Sequence, residues 1–311
     1  MIAEVKTRPN YLPYAALVAV SFIWGTTYLA LRIGVLNFPP FLFTAIRQVS
    51  AGMILMALIA GFKRVPWPPA SHVLQQAIAG FFLITMGNGL VAWSEVHIPS
   101  GVAAILCSLM PVAVILINMT IGRDEKPNLT IGLGAILGLG GILLMFSEHV
   151  AEFSKTEYLL GILLTLGAVL SWAFGSIWIK RHHSNSNPFV NAALQMFFGG
   201  LFCLPISFAV DDLTTVSWSP EAVYTLLYLI IFGSIVAYAS YLYALRSLPM
   251  TIVSLYAYVN PLVAVILGWM VLNEKLNGTI GLAIAVTIAG IYLVNRGYQL
   301  RTIWKAQFSK S

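Results

Sequence analysis

The sequence predicts an all-α integral membrane protein with ten transmembrane helices arranged as two inverted five-helix repeats. Three observations predict it: too little charge for a water-exposed surface, ten apolar stretches of bilayer-spanning length, and a self-similarity at half the chain length.

The composition comes first. Of 311 residues, 59% are hydrophobic and only 9% are charged, against about 25% charged in a soluble domain. An α-helix needs roughly 17 to 25 apolar residues to cross about 30 Å of hydrocarbon. Stretches of that kind fall at 14–35, 40–61, 73–95, 98–120, 128–147, 157–180, 188–210, 221–245, 249–272 and 278–296. Prolines, among them Pro39, Pro40, Pro66, Pro99, Pro127, Pro188, Pro220 and Pro249, mark the breaks. The first stretch follows Lys6 and Arg8 as a signal peptide would. It is too long for an h-region and lacks an A-x-A exit, so it reads as an uncleaved helix.

The charges orient these helices. Lys and Arg accumulate on the cytoplasmic side of a membrane. With both termini cytoplasmic, thirteen of the 17 basic residues fall inside, Arg32, Lys155 and Lys275 fall outside, and Arg47 lies within a span. The predicted location is the inner membrane. The net charge of +6 comes from basic residues standing singly or in pairs beside apolar stretches. That pattern excludes a nucleic-acid stripe. Cys107 and Cys203 sit inside apolar stretches and read as packing residues, with no spacing for a metal site. No cofactor or metal is expected.

The repeat is the third observation. Residues 24–32 match 172–180 at an offset of 148, as Pro40 matches Pro188. Pro99 and Pro111 match Pro249 and Pro261 at 150, and Glu125, Lys126 and Asn128 recur at 149 as Glu274, Lys275 and Asn277. The two units span 14–147 and 157–296. Each holds five helices, an odd number, so the second enters the membrane from the opposite face. Inverted repeats of this kind are characteristic of secondary transporters, whose binding site lies near the midplane between the units.

Candidate site residues follow from cost and spacing. Arg47 lies about 10 Å along the second span at 1.5 Å per residue. Near the bilayer centre an Arg costs about 2.5 to 3.5 kcal/mol, so it should face a cavity or a partner. Two readings stay open: a counter-charge for a substrate carboxylate, or a structural pair with Glu95 or a side chain that snorkels outward. Asn88 and Glu95, seven apart, share a helix face. Glu95 reads first as a solvated carboxylate at a helix end, and second as a group that binds a substrate amine or carries a proton. His97 beside it reads as an exposed loop residue.

Pro111 and Pro261 take equivalent mid-span positions, where each frees a backbone carbonyl. Such interruptions are tolerated where backbone lines a cavity; a plain packing kink is the alternative. Asn260 adds an amide beside Pro261. Tyr238 with Tyr241, and Tyr256 with Asn260, share helix faces at spacings of three and four. With Trp24 and Trp172 they suit an apolar pocket with a few polar tips. Trp67, Trp218 and Tyr14 read as interface anchors, and the glycines of the fifth span as packing residues.

Taken together, Trp24-Gly25, Arg47, Tyr243-Ala244-Leu245-Arg246 before Pro249, the mid-span prolines and the NEKL run at 273–276 resemble the EamA branch of the drug/metabolite transporter superfamily. The resemblance covers nearly the whole chain. It implies a ten-helix fold and the export, or sometimes uptake, of amino acids, purines, vitamins or similar metabolites. Gly87-Asn88-Gly89-Leu90, Glu95 and Pro99-Ser100-Gly101 are similar to the YedA-type subgroup. One departure stands out: Gln195, expected at the same cavity, occupies in the second unit the place of Arg47 in the first.

The expected function is therefore a secondary carrier, an exporter of small polar metabolites working by alternating access, with the substrate and the lipid bilayer as partners. Coupling to a proton or another ion, and pairing as a homodimer, stay open. A nucleotide-driven pump would need a G-x-x-x-x-G-K-[ST] loop, which the sequence lacks. The alternative is an integral membrane enzyme or receptor, but no H-E-x-x-H or G-x-S-x-G motif accompanies the spans.

Overall fold

The computed structural model describes residues 11–62, 67–110, 112–114, 117, 129–147, 155–182, 187–248, 253, 256–273 and 277–308. Among them the regular structure is helical, with no strand. In chain order the helices are α1 (Leu12–Val35), α2 (Pro40–Phe62), α3 (Ala70–His97), α4 (Ser100–Cys107) and α5 (Leu129–Ser147). They continue with α6 (Thr156–Arg181), α7 (Pro188–Val210), α8 (Pro220–Ser247), α9 (Tyr256–Leu272) and α10 (Gly278–Phe308). Helices α1, α2, α3, α6, α7 and α8 are long and apolar enough to cross a membrane, and the other four carry shorter apolar stretches.

Local chemistry sets the starts. Proline stands at the first turn of α7 and α8, where its missing N–H costs nothing and its fixed φ suits the helix. The side chains of Asn187 and Ser219 cap those helices, accepting from Phe189 N at 2.9 Å and Ala222 N at 3.2 Å. Asn277 does the same for α10, accepting from Ile280 N at 2.9 Å. The first turn of α2 is capped from elsewhere in the chain: the Asp211 carboxylate, just past α7, accepts from Leu42 N at 2.9 Å. A negative charge at a helix N-terminus also complements the macrodipole, so this contact ties the start of α2 to the end of α7. Next to it, in a short 3-10 turn at Leu213–Thr215 between α7 and α8, Thr214 donates to the Asp212 carboxylate from N and Oγ1, which holds that carboxyl below its usual range.

Two boundaries differ from the sequence expectation. Helix α10 does not stop at residue 296 but runs on to Phe308. A fall in hydropathy ends an apolar stretch, not a helix, and Gln299, Leu300, Arg301, Lys305 and Ala306 are good helix formers. The ninth helix is described from Tyr256, and the stretch expected before it lies largely outside the described residues.

Helices α3 and α8 share a feature that the sequence did not announce. Each carries an eight-residue π-helical segment, Phe81–Asn88 in α3 and Leu229–Val236 in α8. The two are separated by the same 148 residues as Trp24 and Trp172. π segments are rare, and they concentrate at functional sites.

The packing is reciprocal between the halves. Helix α2 lies along α7, and α5 along α10; α1 packs on α8 and α9, while α6 packs on α3 and α4. Glycine permits the closest of these approaches. A Cβ at Gly52 would sit 2.7 Å from Phe197 N, one at Gly200 2.8 Å from Val49 N, and one at Gly134 2.6 Å from Gly290 O. Small residues at helix contacts are how membrane helices come close without a hydrophobic drive. Facing outward are large apolar side chains such as Phe22, Leu58, Leu163, Phe208 and Met270, as a lipid-facing surface requires.

Candidate functional site

A cavity opens between the halves. Its lining includes Trp24 of α1, Arg47 of α2, Asn88 of α3, Trp172 of α6, and Tyr256 and Asn260 of α9. Six of the residues singled out from sequence thus meet at one place, three from each half.

The walls are aromatic. Trp24 and Trp172, equivalent across the repeat, meet edge to face at 5.4 Å and 87°, and Trp24 meets Tyr256 at 5.0 Å and 83°. Such edge-to-face pairs add about 0.5 to 1.5 kcal/mol beyond the area they bury. The Trp24 indole donates to Gly233 O at 3.1 Å, which fixes its ring on the π segment of α8. Trp172 in turn lies against Gly87, in the π segment of α3, where an added Cβ would come within 2.7 Å of its ring.

Polar groups are few and held. Arg47 is 4% exposed, and its Nε donates to Ser234 Oγ at 2.9 Å. Its Nη2 lies so near Gly233 that a Cβ there would be 3.0 Å away. Asn88 Nδ2 donates to Leu83 O at 3.3 Å, within the widened ladder of the π segment. The Asn260 amide, oriented by its surroundings, donates to Ser21 O at 2.8 Å and to Tyr256 O at 3.1 Å. Pro261 lies inside α9 and removes the donor that would bind the Ala257 carbonyl, and Ala257 lines the cavity. Pro111, its counterpart, lies outside the described residues.

Four other residues expected at the cavity are not among its lining side chains. Tyr241 stands behind the wall, 5.1 Å from Trp24 and 5.8 Å from Trp172, with its hydroxyl 2.8 Å from Ser176 Oγ. Tyr238 donates to Gln195 Oε1 at 2.5 Å, and Gln195 Nε2 donates to Gln76 Oε1 at 2.5 Å, a buried relay beside the cavity. Glu95 is not a solvated carboxylate: it is fully buried. The end of α3 packs on α6 at Gly161, whose missing side chain leaves room for Ser94, His97 and Ile98. His97 accordingly closes α3 half-buried and is no loop residue.

Sequence reasoning missed Thr27, Tyr28, Ser108 and Ser234, and placed Cys107 in packing although it lines the cavity. Thr27 and Tyr28 sit inside the repeated stretch that begins at Trp24, which was the available signal. Ser234 had only its polarity within an apolar run.

Apolar helices around an open cavity that is walled by aromatics and tipped with a buried cation and amides define a multi-pass membrane protein built to handle a small solute. The chain belongs to the EamA-like transporter family, whose model matches residues 12–147 and again 159–296. It is 32% identical over 290 residues to the inner membrane transporter YedA of Escherichia coli (strain K12), covering 92% of each chain. It is also 24% identical to the transporter YoaV of Bacillus subtilis (strain 168), over 89% of this chain and 94% of that one. A chloroplastic WAT1-related protein of Arabidopsis thaliana is 29% identical over 92% of this chain and 70% of its own length. One crystal structure superposes with a TM-score of 0.68 over 92% of this chain and 96% of that chain at 17% identity, a likeness of fold alone. Family and relatives make the protein a transporter of the drug/metabolite type, not an enzyme.

Proposed function

We propose that the protein is a secondary transporter that exports small polar metabolites, amino acids or related compounds, across the inner membrane by alternating access. The observation that carries this reading is the composition of the cavity. A solute with an anionic group and an apolar body fits a site where Arg47 supplies charge, Asn88 and Asn260 supply amides, and Trp24, Trp172 and Tyr256 supply faces.

Two inverted five-helix units, 14–147 and 157–296, with ten membrane crossings, are the frame of this mechanism. The matched π segments, the reciprocal packing and the two family matches support it. Access then alternates as one unit rocks against the other around a fixed site. A gradient of the solute, a proton or another ion drives the cycle.

The test is flux into proteoliposomes holding the purified full-length chain. Labelled amino acids and purines are presented with and without a proton gradient, and counterflow by unlabelled compound is expected for at least one of them. Absence of counterflow for every compound, with folded protein verified in the vesicles, would sink the reading. Orientation has its own measurement. A reporter fused after Ser311 is expected in the cytoplasm and one inserted beside Lys155 in the periplasm. A periplasmic C-terminus would overturn the inverted ten-helix arrangement.

A further inference from the structure

A second concavity lies where α3 and α7 begin and α6 and α8 end. Its charged lining residues, Lys180 and Arg246, are both basic, His182 lies beside them, and no carboxylate is among the described lining residues. Gln76 and Asn191 add amides. Lys180 gives one of its protons to Leu248 O at 3.0 Å, which leaves the other two donors of an ammonium to be used. His182 donates from Nδ1 to Trp178 O at 3.0 Å, and its ring stacks on the Trp178 indole at 4.0 Å. The buried Nε1 of Trp178, another lining residue, has no hydrogen-bond partner among the described residues.

A concave surface lined by one sign of charge and walled by low-dielectric protein raises the local concentration of ions of opposite sign. This recess therefore selects anions. Its inner wall is also informative. Gln195 lines the recess and is the middle member of the Gln76–Gln195–Tyr238 relay. The Tyr238 ring lies 6.1 Å from Trp172, which lines the aromatic cavity. The relay thus stands between the two concavities, with basic side chains on one side and Arg47 on the other.

We propose that the recess is an anion-binding loading site, which takes the carboxylate of a small metabolite at the cytoplasmic face before the solute passes the Gln76–Gln195–Tyr238 relay to Arg47. The loading role rests on the transport reading and orientation above, whereas the binding of a carboxylate does not. Hydrogen bonds between neutral amides and a phenol hold the relay closed. They can part and re-form without stranding a charge, as a gate beside an anion's path requires.

The experiment uses the full-length chain in phosphatidylcholine nanodiscs at constant ionic strength. Trp178 emission is taken as the difference between the protein and Trp178→Phe, with iodide as the anionic quencher and acrylamide as the neutral one. Iodide is expected to quench Trp178 at least threefold more efficiently in the unaltered protein than in the Lys180→Gln/Arg246→Gln double variant. Acrylamide is expected to quench both alike, which verifies that the variant is folded. Succinate is expected to suppress the iodide effect. Arg246→Gln alone, which leaves the bond from Lys180 to Leu248, is expected to fall between.

Equal iodide quenching in all the variants overturns the site. Loss of iodide quenching on adding phosphatidylglycerol to the nanodiscs assigns the recess to a lipid headgroup and overturns the loading role. Because quenching needs no flux, a protein that binds succinate here yet moves nothing sinks the transport reading and keeps the carboxylate site. A protein that moves solutes while Trp178 ignores succinate does the reverse.

Discussion

Replacing Arg47 with glutamine is expected to lower flux by at least tenfold, normalised to the folded protein in the membrane, while the chain inserts and folds. Three features set that expectation. The guanidinium is almost wholly buried and lines the cavity, so a solute anion placed there meets a charge that water barely screens. Its hydrogen-bond partner is the neutral Ser234 hydroxyl. Removal costs about one net hydrogen bond, roughly 0.5 to 1.5 kcal/mol, and also takes a counter-charge from the buried Glu95 carboxylate, so flux is compared per folded protein. The second unit already holds a glutamine at the equivalent position, Gln195, in a fully buried setting. Arg47→Lys is expected to recover part of the flux, since a point charge lacks the bidentate fork. Flux that stays unchanged in Arg47→Gln after normalisation removes Arg47 from solute recognition.

The largest loss of stability is expected from Gly290→Val. Helices α5 and α10 meet there backbone to backbone: a Cβ on Gly290 would press on Gly138 N and stand 2.6 Å from Gly134 O. A main chain on the facing helix has no rotamer to change. The two helices must separate, at a cost of about 3 kcal/mol or more. The readouts are the melting temperature in detergent and the monodisperse fraction after extraction. Gly140→Ala on the facing helix, α5, is the control, because a Cβ there meets nothing within 4 Å, and it should match or slightly exceed the parent. A Gly290→Val protein as stable as the parent contradicts the close crossing.

Much of this was legible in the sequence because lipid imposes a simple grammar. Apolar length gave the helices, and Pro188 and Pro220 marked starts that the structure places at the first turn of α7 and α8. The offset of 148 tied Trp24 to Trp172, and the two rings touch. Other features depend on distant partners, which no local pattern encodes. Glu95 looked solvated because it stands near a helix end, yet Gly161 of another helix lets that end pack tightly. Arg47 invited pairing with Glu95, whose buried carboxylate does attract the guanidinium, but nothing local announced that its Nε would also find Ser234, 187 residues away in sequence. Gln195 was placed in the cavity as the counterpart of Arg47. The repeat is pseudo-symmetric, and there the amide turns to Gln76 and Tyr238. The π segments had only Gly87, Gly89 and Gly233 as hints, since apolar side chains do not report which carbonyl their N–H will find.

Those two segments also distinguish a permanent bend from a reversible one. Pro205 in α7 and Pro261 in α9 interrupt their helices by deleting a donor, a loss written into the covalent chain. Phe81–Asn88 and Leu229–Val236 contain no proline, so every N–H is present and has merely been handed to the carbonyl one residue further back in the chain. Moving that choice up or down the helix strands no polar group in the hydrocarbon, where an unsatisfied one costs several kcal/mol. It also turns the residues on either side relative to each other. In α3 those residues are Gln76 at one end and Val91 at the other; in α8 they are Tyr224 and Tyr238. The protein thus has, at matching places in its two halves, a joint that can twist without opening.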